Sequence, residues 1–192
     1  MIITIIANSR GLNDAAAVGI VEKMITAIFI IPSTMLATVS ALSAQNIGAK
    51  DYGRARTVLK YAVMITTLYG IIVALIVECA APTLLGLFTK DTTVILLGVQ
   101  YISSYIIDTI FAGIHFCFSG YFAADGKSYI GFIHNIISIS LVRVPGSYIA
   151  SIIYPHNLFP MGLAAPLGSL LSVIICLIAY CILKKKDELS VL

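Results

Sequence analysis

The sequence has very little charge: Asp, Glu, Lys and Arg make up 11% of its 192 residues, and there is no tryptophan. Average globular domains contain about 25% of these charged residues. A soluble protein of this length needs more charged side chains to cover its surface. Hydrophobic residues make up 59%, and the mean hydropathy is +1.01. The composition therefore excludes an ordinary soluble domain and predicts that lipid surrounds most of the chain.

Motifs for binding metals, nucleotides or nucleic acids are missing as well. The four cysteines lie in or at the end of apolar runs without a CxxC pair, so we interpret them as small packing residues. The sequence has neither a phosphate-binding glycine loop of the Walker type nor a stripe of alternating basic and aromatic residues. The net charge of +3 comes from cations that lie between the apolar runs. These absences argue against nucleotide-driven chemistry and against a nucleic-acid partner.

Five apolar runs are long enough to span a bilayer, because a transmembrane helix needs about 20 apolar residues. They cover approximately residues 24–44, 61–81, 99–122, 129–153 and 161–183. Residues 1–7 are apolar but too short for a signal peptide, and we interpret them as the end of another helix. Pro32 and Pro145 predict kinks, since proline removes a backbone donor. The prediction is an all-α integral membrane protein, with a single transmembrane domain over residues 1–192 that contains five full helices and the end of a sixth.

The basic residues are distributed unevenly between alternate loops, which predicts the orientation of the bundle. One set of loops and flanking segments holds Lys50, Arg54, Arg56, Lys60, Lys127, Lys184, Lys185 and Lys186. The other set, which also contains Asp14, Asp91 and His156, holds Arg10, Lys23 and Lys90. The positive-inside rule places the larger set in the cytoplasm, together with the C-terminus. We interpret the last three lysines as an anchor of this topology.

A polar stripe makes the third run the candidate site, because spacings of three and four residues place its members on one helical face. The stripe consists of Tyr101, Tyr105, Asp108, Ala112, His115 and Ser119. Lipid would leave its polar groups unsatisfied, so it must face the bundle interior or a water-filled cavity. An ionisable residue at mid-membrane depth is costly and indicates function, so Asp108 is a candidate site for H⁺, Na⁺ or a cationic substrate. His115 is a second candidate because histidine titrates near neutral pH, although a packing histidine also fits the pattern.

Arg143 in the fourth run gives Asp108 an alternative role, as one member of a structural ion pair. Each residue lies about 14 positions from the inner end of its helix, or roughly 21 Å at 1.5 Å per residue. A tight turn joins the two helices, which predicts a buried ion pair between Asp108 and Arg143. Glu78 is the other candidate partner of Arg143, but its position near the outer surface favours a side chain that reaches water. Asn135 is predicted to bridge two helices by hydrogen bonding.

Several short segments carry a recognisable pattern. Residues 44–56 place Gln45, Asn46, Gly48 and Ala49 at the end of a helix rich in alanine and serine, followed by a basic turn. The other segments are Leu87–Asp91, Gly120 with Asp125 and Gly126, Arg143–Pro145, and Pro166–Ser169. In this order and spacing, the segments resemble the multidrug and toxic compound extrusion (MATE) family of transporters over nearly the whole chain.

The resemblance implies the second, C-terminal lobe of a transporter that has twelve helices in two six-helix lobes. It implies a multi-pass protein of a prokaryotic plasma (inner) membrane that exports organic, often cationic, drug-like compounds in exchange for H⁺ or Na⁺. Alternating access would need no further cofactor, and the partner would be the absent N-terminal lobe or a second copy. Family members often carry an acid on the third helix. Counting back from Gly120 places that acid at position 112, which is alanine in this sequence. Asp108 lies one turn away on the same helical face, and Na⁺ would bind at Asp108.

The signature residues also have structural roles that do not depend on the family. Gln45 and Asn46 can donate to carbonyls at a helix end, and Gly48 can adopt the left-handed conformation of a helix cap. For Gly120, which precedes Asp125 and Gly126, it is the resemblance that implies a match to a glycine-rich inner turn. We interpret the whole set as architecture rather than as substrate contacts: Gln45, Asn46, Gly48, Ala49, Gly120, Gly126 and Pro145.

Three other functions compete with multidrug antiport. A flippase for lipid-linked saccharides uses a similar bundle but would favour a cationic cavity, whereas this stripe carries an acid and aromatic rings. A half-transporter remnant without transport activity also fits the length. An intramembrane enzyme would use Asp108, His115 and Cys117, but the first two lie two turns apart, roughly 10 Å along the helix axis. That separation is too large for direct acid–base contact, so we expect no enzyme.

The predicted orientation can be tested by cysteine labelling in intact cells. In a background without the native cysteines, single cysteines at Lys50 and Lys127 should be shielded from membrane-impermeant thiol reagents. Cysteines at Asn13 and Asn157 should react, because their loops face outward. Labelling of the first pair from outside would overturn the orientation.

Overall fold

The computed structural model describes residues 2–189, with side chains from 3 to 185, and this part of the chain contains helices and no strand. In chain order the helices are α1 (Ile2–Asn8), α2 (Leu12–Ile28), α3 (Ile30–Gly48), α4 (Tyr52–Gly86), α5 (Thr92–Tyr105), α6 (Asp108–Ala124), α7 (Ser128–Ser138), α8 (Val144–Ile153) and α9 (Phe159–Leu189). A π-helical turn (Ile139–Arg143) joins α7 to α8. The all-α prediction is confirmed.

The long helices correspond to the apolar runs of the sequence. Four stretches within the described residues are long and apolar enough to cross a membrane: Leu12–Gly48, Tyr52–Gly86, Ser128–Ile153 and Phe159–Lys185. The pair α5 and α6 supplies a fifth crossing when the two are taken as one broken span. α6 packs against α3, α4, α7 and α9, so it forms the centre of the bundle.

The third span differs from the uninterrupted helix that the sequence predicts over residues 99–122. It is broken between α5 and α6, and the two axes differ by 43°. Hydrogen bonds there connect residues three positions apart, from Thr109 N to Ile106 O and from Ile110 N to Ile107 O. This pattern tightens the backbone of an apolar segment that contains neither glycine nor proline. A search for helix breakers in the sequence therefore could not find the break.

Pro32 and Pro145, for which the sequence predicts kinks, each lie within one turn of a helix irregularity. The break between α2 and α3 is at Phe29, almost one turn before Pro32. Proline has no N–H to donate to the carbonyl four residues earlier, which is that of Ile28. The Tyr69 hydroxyl donates to this carbonyl instead, at 2.9 Å. Pro145 is the second residue of α8, one residue after the π-helical turn.

Two loops that the sequence places on the same side of the membrane are in contact. Arg10, between α1 and α2, pairs with Asp14 through Nε and Oδ2 at 2.6 Å. Its guanidinium also donates to the carbonyls of Tyr154 at 3.2 Å and Pro155 at 2.8 Å, in the loop between α8 and α9. Arg10 is therefore a structural clamp as well as one of the cations that were counted for orientation.

The signature loop after α3 closes the helix, but the left-handed residue is Lys50 and not Gly48. Gly48 ends α3, and Lys50 has φ 61. Lys50 N donates to Ile47 O at 2.9 Å, and Asp51 N donates to Asn46 O at 2.8 Å. This pair of bonds is a Schellman cap, which requires the positive φ one residue after the cap and not at the last helical residue.

The turn between α6 and α7 repeats this cap. Lys127 N donates to Phe122 O at 2.8 Å, and Gly126 N donates to Ala123 O at 3.2 Å. Gly126 takes the left-handed position, with φ 71. The predicted structural role of Gly126 as a turn glycine is therefore confirmed.

Gly120 precedes that turn and has a different role. It lies inside α6, where a Cβ would overlap the Leu36 carbonyl oxygen and lie 3.2 Å from Ser40 N of α3. The absent side chain therefore lets the backbones of α3 and α6 approach closely, as small residues do in membrane bundles.

Gly120→Ala should destabilise the bundle, because the new methyl group must push α3 away from α6. Overpacking of this kind costs about 1–3 kcal/mol. The matched control is Gly19→Ala on α2, where a Cβ would meet no atom within 4 Å. The control should be neutral or slightly stabilising, since alanine favours helix over glycine. Thermal unfolding in detergent measures both, and equal stability of the two variants would refute the close contact.

Candidate ion and substrate site

Asp108 and Arg143 form an ion pair inside the bundle, as the sequence predicts. Arg143 donates from Nη2 to Asp108 Oδ2. The Asp108 side chain is fully buried, and that of Arg143 is 22% exposed. Burial of a single charge at this depth would be costly, so each residue stabilises the charged form of the other.

The local backbone explains why the two side chains meet. Asp108 opens α6 directly after the break in the third span, and Arg143 ends the π-helical turn. Gly168 of α9 leaves space for the arginine stem, because a Cβ at that position would lie 2.5 Å from Arg143 Cγ. Irregular helix segments on both sides therefore bring the two charges together.

The ion pair leaves hydrogen-bonding capacity unused. Within the described residues, Asp108 Oδ1 and Arg143 Nε are buried and have no hydrogen-bond partner in the protein. Most buried polar atoms in proteins are satisfied, so such atoms indicate a site at which a further group can bind. The carboxylate oxygen can accept from a proton donor or coordinate a cation.

A cavity of about 430 Å³ lies beside the pair and brings in an acid that the sequence analysis missed. Glu22 of α2 lines this cavity together with Arg143 and Tyr105. The remaining lining residues are Ile25, Thr26, Phe29, Ile30, Ser33 and Phe116. We call it the Arg143 cavity. It combines one acid, one base and aromatic walls.

The helix boundary explains why Glu22 was missed. The sequence analysis began the first span at Met24 and treated Lys23, the neighbour of Glu22, as a loop cation. In the structure α2 begins at Leu12, so both residues lie inside the helix. The buried residues Val18, Val21 and Ile25 recur at helical spacing around Glu22, and this periodicity was the available signal.

The lower half of the stripe belongs to a second, smaller cavity of about 240 Å³. His115, Ser119, His134 and Asn135 line this His134 cavity. His134 Nε2 and Ser119 Oγ are 2.9 Å apart, and the two imidazole rings are 5.4 Å apart. The contact predicted for Asn135 between neighbouring helices is therefore made by His134, whereas the Asn135 side chain is exposed.

The stripe faces the interior but does not line one continuous cavity. Tyr101 and Ala112 are packed in the core, and the Tyr101 and Tyr105 rings meet edge to face at 5.5 Å. Tyr105 reaches the Arg143 cavity, whereas His115 and Ser119 reach the His134 cavity. Phe116 lines both cavities. Cys117 instead packs between α6 and α4, with its Sγ 3.6 Å from Thr66 Oγ1.

The family assignment follows from the sequence over most of the chain. Residues 1–149 match the MatE family model. The chain belongs to the MatE family. No curated protein matches it.

Solved MATE structures share this fold. The chain superposes on a mutant of the Vibrio cholerae MATE transporter VcmN with a TM-score of 0.88 at 18% identity, covering 96% of this chain and 42% of that one. A MATE structure in complex with MaL6 matches with a TM-score of 0.85 at 16% identity, covering 96% and 43%. A transporter of the MOP superfamily from Pyrococcus furiosus matches with a TM-score of 0.75 at 18% identity, covering 97% and 40%. The chain therefore spans about two-fifths of the length of these transporters.

The ion pair can be tested by a double-mutant cycle. Arg143→Ala should lower thermal stability in detergent, because it strands a buried carboxylate, typically at a cost of about 3–5 kcal/mol. Adding Asp108→Ala should recover part of the loss. Strictly additive effects would show that the two residues do not interact.

The Lys127–Asp125 pair in the turn after α6 is the matched control for this cycle. It also joins a basic residue to an aspartate, but at a more exposed position. Exposed ion pairs contribute about 0–1 kcal/mol to stability. Its coupling energy should be clearly smaller than that of Asp108 and Arg143.

Proposed function

We propose that this MATE chain forms the C-terminal lobe of a multidrug antiporter, which exports organic cations in exchange for H⁺ or Na⁺. The proposal is carried by one observation: the buried Asp108–Arg143 pair lies at a cavity that contains a second acid, Glu22. The family membership supports a transport function. The other lobe of the transporter would supply the opposite wall of the substrate path.

The Arg143 cavity has the composition that an amphipathic cation requires. Its volume of about 430 Å³ falls within the range of small-molecule sites, which is roughly 300–1,000 Å³. Phe29, Tyr105 and Phe116 supply aromatic rings, which attract cations, and Glu22 supplies a carboxyl group. The presence of this acid favours a cationic drug over the anionic pyrophosphate of a lipid-linked saccharide.

Coupling would arise from competition for the two carboxylates. Arg143 neutralises Asp108 while the pair is intact. A conformational change that separates them would free the carboxylate for H⁺ or Na⁺, and a bound coupling ion would then reduce the attraction for a cationic drug. A transporter moves its substrate only if the two ligands favour different states.

Two irregular elements next to the pair are suited to such a change. The break between α5 and α6 precedes Asp108, and the π-helical turn ends at Arg143. Single π-helical turns occur frequently at functional sites, and broken helices surround substrate sites in many transporters. Rotation about either element would alter the distance between the charges.

The proposal predicts the effect of neutralising the acids in the complete transporter. Asp108→Asn should abolish drug resistance in an efflux-deficient bacterial strain while leaving expression near normal. Glu22→Gln should reduce it, because the cavity loses its free negative charge. Both are measured by growth inhibition and by dye efflux from loaded cells.

Glu78→Gln is the matched control for these variants, since Glu78 is an acid on the exposed surface of α4. It should leave resistance unchanged. Wild-type resistance in Asp108→Asn would remove Asp108 from the mechanism. Equal losses in all three variants would indicate a general effect of charge on folding.

A further inference from the structure

Three cations from two helices converge on a pocket at the basic end of the bundle, where α3, α6 and α9 terminate. Arg56 and Lys60 lie one turn apart on α4, and Lys184 lies on α9. The pocket measures about 510 Å³, and none of its described lining residues is acidic. We call it the Lys60 pocket. Such convergence concentrates positive potential far more than separate surface lysines do.

The inner wall of the Lys60 pocket is a packed aromatic cluster. Phe118 and Tyr180 line the pocket, and their ring centroids are 5.6 Å apart. Tyr121 supports Tyr180 from behind at 5.7 Å. Phe118 is 6% exposed, so the wall belongs to the core of the bundle. The cations are therefore arranged around a fixed surface.

An apolar groove of about 550 Å³ continues from this pocket along α4. The two share Val63 and Met64. The groove then follows Ile65, Leu68 and Ile71, which are exposed at 58%, 60% and 43%. From Lys60 to Ile71 the helix rises roughly 16 Å at 1.5 Å per residue, toward the middle of the membrane. A basic pocket at one end thus leads into an apolar track.

We propose that the Lys60 pocket and its groove bind one anionic phospholipid from the surrounding leaflet. The phosphate group lies among Arg56, Lys60 and Lys184, and an acyl chain lies along Met64 and Leu68. Basic pockets between transmembrane helices bind lipid headgroups of this class. The shape of the site matches both parts of the lipid: charge at the membrane boundary and hydrocarbon below it.

Other cations of the same membrane end lie outside the pocket. Lys50, Arg54 and Lys185 are exposed but do not line it. Arg56 and Lys184 keep partners within the protein, so the site does not depend on their being unpaired. Lys60 supplies an exposed ammonium group for the phosphate.

The surface of α4 is suited to lipid rather than to a second lobe. The exposed face of α3 carries Ser33, Thr34, Ala37, Thr38 and Ala41. Small and hydroxyl side chains of this kind favour close helix packing, so α3 fits the lobe interface. The groove on α4 instead presents large aliphatic side chains, which acyl chains contact without a specific protein partner.

The site is tested by titrating the delipidated protein with phosphatidylglycerol and counting bound molecules by native mass spectrometry. The wild type should bind one copy selectively, and zwitterionic phosphatidylcholine should bind at least tenfold more weakly. Lys60→Gln should weaken the first binding step about fivefold, since one lysine near an anionic lipid surface contributes about 1 kcal/mol. Arg54→Gln, which removes one exposed charge from the same helix, should change it less than twofold.

A second pair of variants tests the acyl chain. Leu68→Ala should weaken phosphatidylglycerol binding at least twofold, whereas Leu75→Ala should not. Both leucines are exposed on α4, at 60% and 63%, but only Leu68 lines the groove. Glycerol phosphate, which has no acyl chain, should compete only at far higher concentration than the lipid.

Three results would overturn the proposal. Equal losses in Lys60→Gln and Arg54→Gln would show a diffuse surface potential instead of a site. Equal binding of the zwitterionic lipid would remove the role of the cations. Strong competition by glycerol phosphate together with an unaffected Leu68→Ala would assign the pocket to a soluble anion.

Discussion

Two opposite charges in the middle of the bundle constrain this structure more than any other interaction. Asp108 is fully buried, and Arg143 reaches it from the neighbouring span. Each charge alone would cost several kcal/mol at this depth, so the third and fourth spans must keep the two at the same level. The space left by Gly168 for the arginine stem serves the same requirement. Within the described residues, the pair also leaves two buried polar atoms without a hydrogen bond, Asp108 Oδ1 and Arg143 Nε.

The scaffold around the pair depends on close backbone packing. Lipid supplies little hydrophobic drive between helices, so association depends on van der Waals contact and hydrogen bonds. α6 meets two of its neighbours, α4 and α3, at glycines: a Cβ at Gly113 would lie 2.9 Å from Thr66 Cβ of α4, and Gly120 touches the α3 backbone. Two irregular segments adjoin Asp108 and Arg143, and the break at Phe29 lies at the wall of the Arg143 cavity. This combination of close packing and local irregularity agrees with the proposed movement of the two charges.

Charge is used differently at the basic end of the bundle. The sequence analysis interpreted the basic residues there as a signal for orientation, and most of them fit that role. The structure adds that Arg56, Lys60 and Lys184 share one pocket with an apolar continuation. Orientation needs only the number of cations on a side, whereas a lipid site needs them to converge. The two roles are compatible because the first acts during insertion and the second after folding.

The sequence by itself determined that lipid surrounds this protein, where its helices lie, and that Asp108 pairs with Arg143. Hydropathy and helical spacing are local properties, and the tight turn between α6 and α7 fixed the relative depth of two neighbouring spans. Only the tertiary structure decided that Glu22 lines a cavity with Arg143, that His134 rather than Asn135 meets Ser119, and that Lys50 rather than Gly48 takes the left-handed position. It also decided that Lys184 and Lys60 line the same pocket. These features depend on the helix breaks at Phe29 and at Ile106–Ile107 and on the rotation of each helix about its axis. They also depend on contacts between residues far apart in sequence. Local sequence patterns carry no information about which distant side chains will face each other.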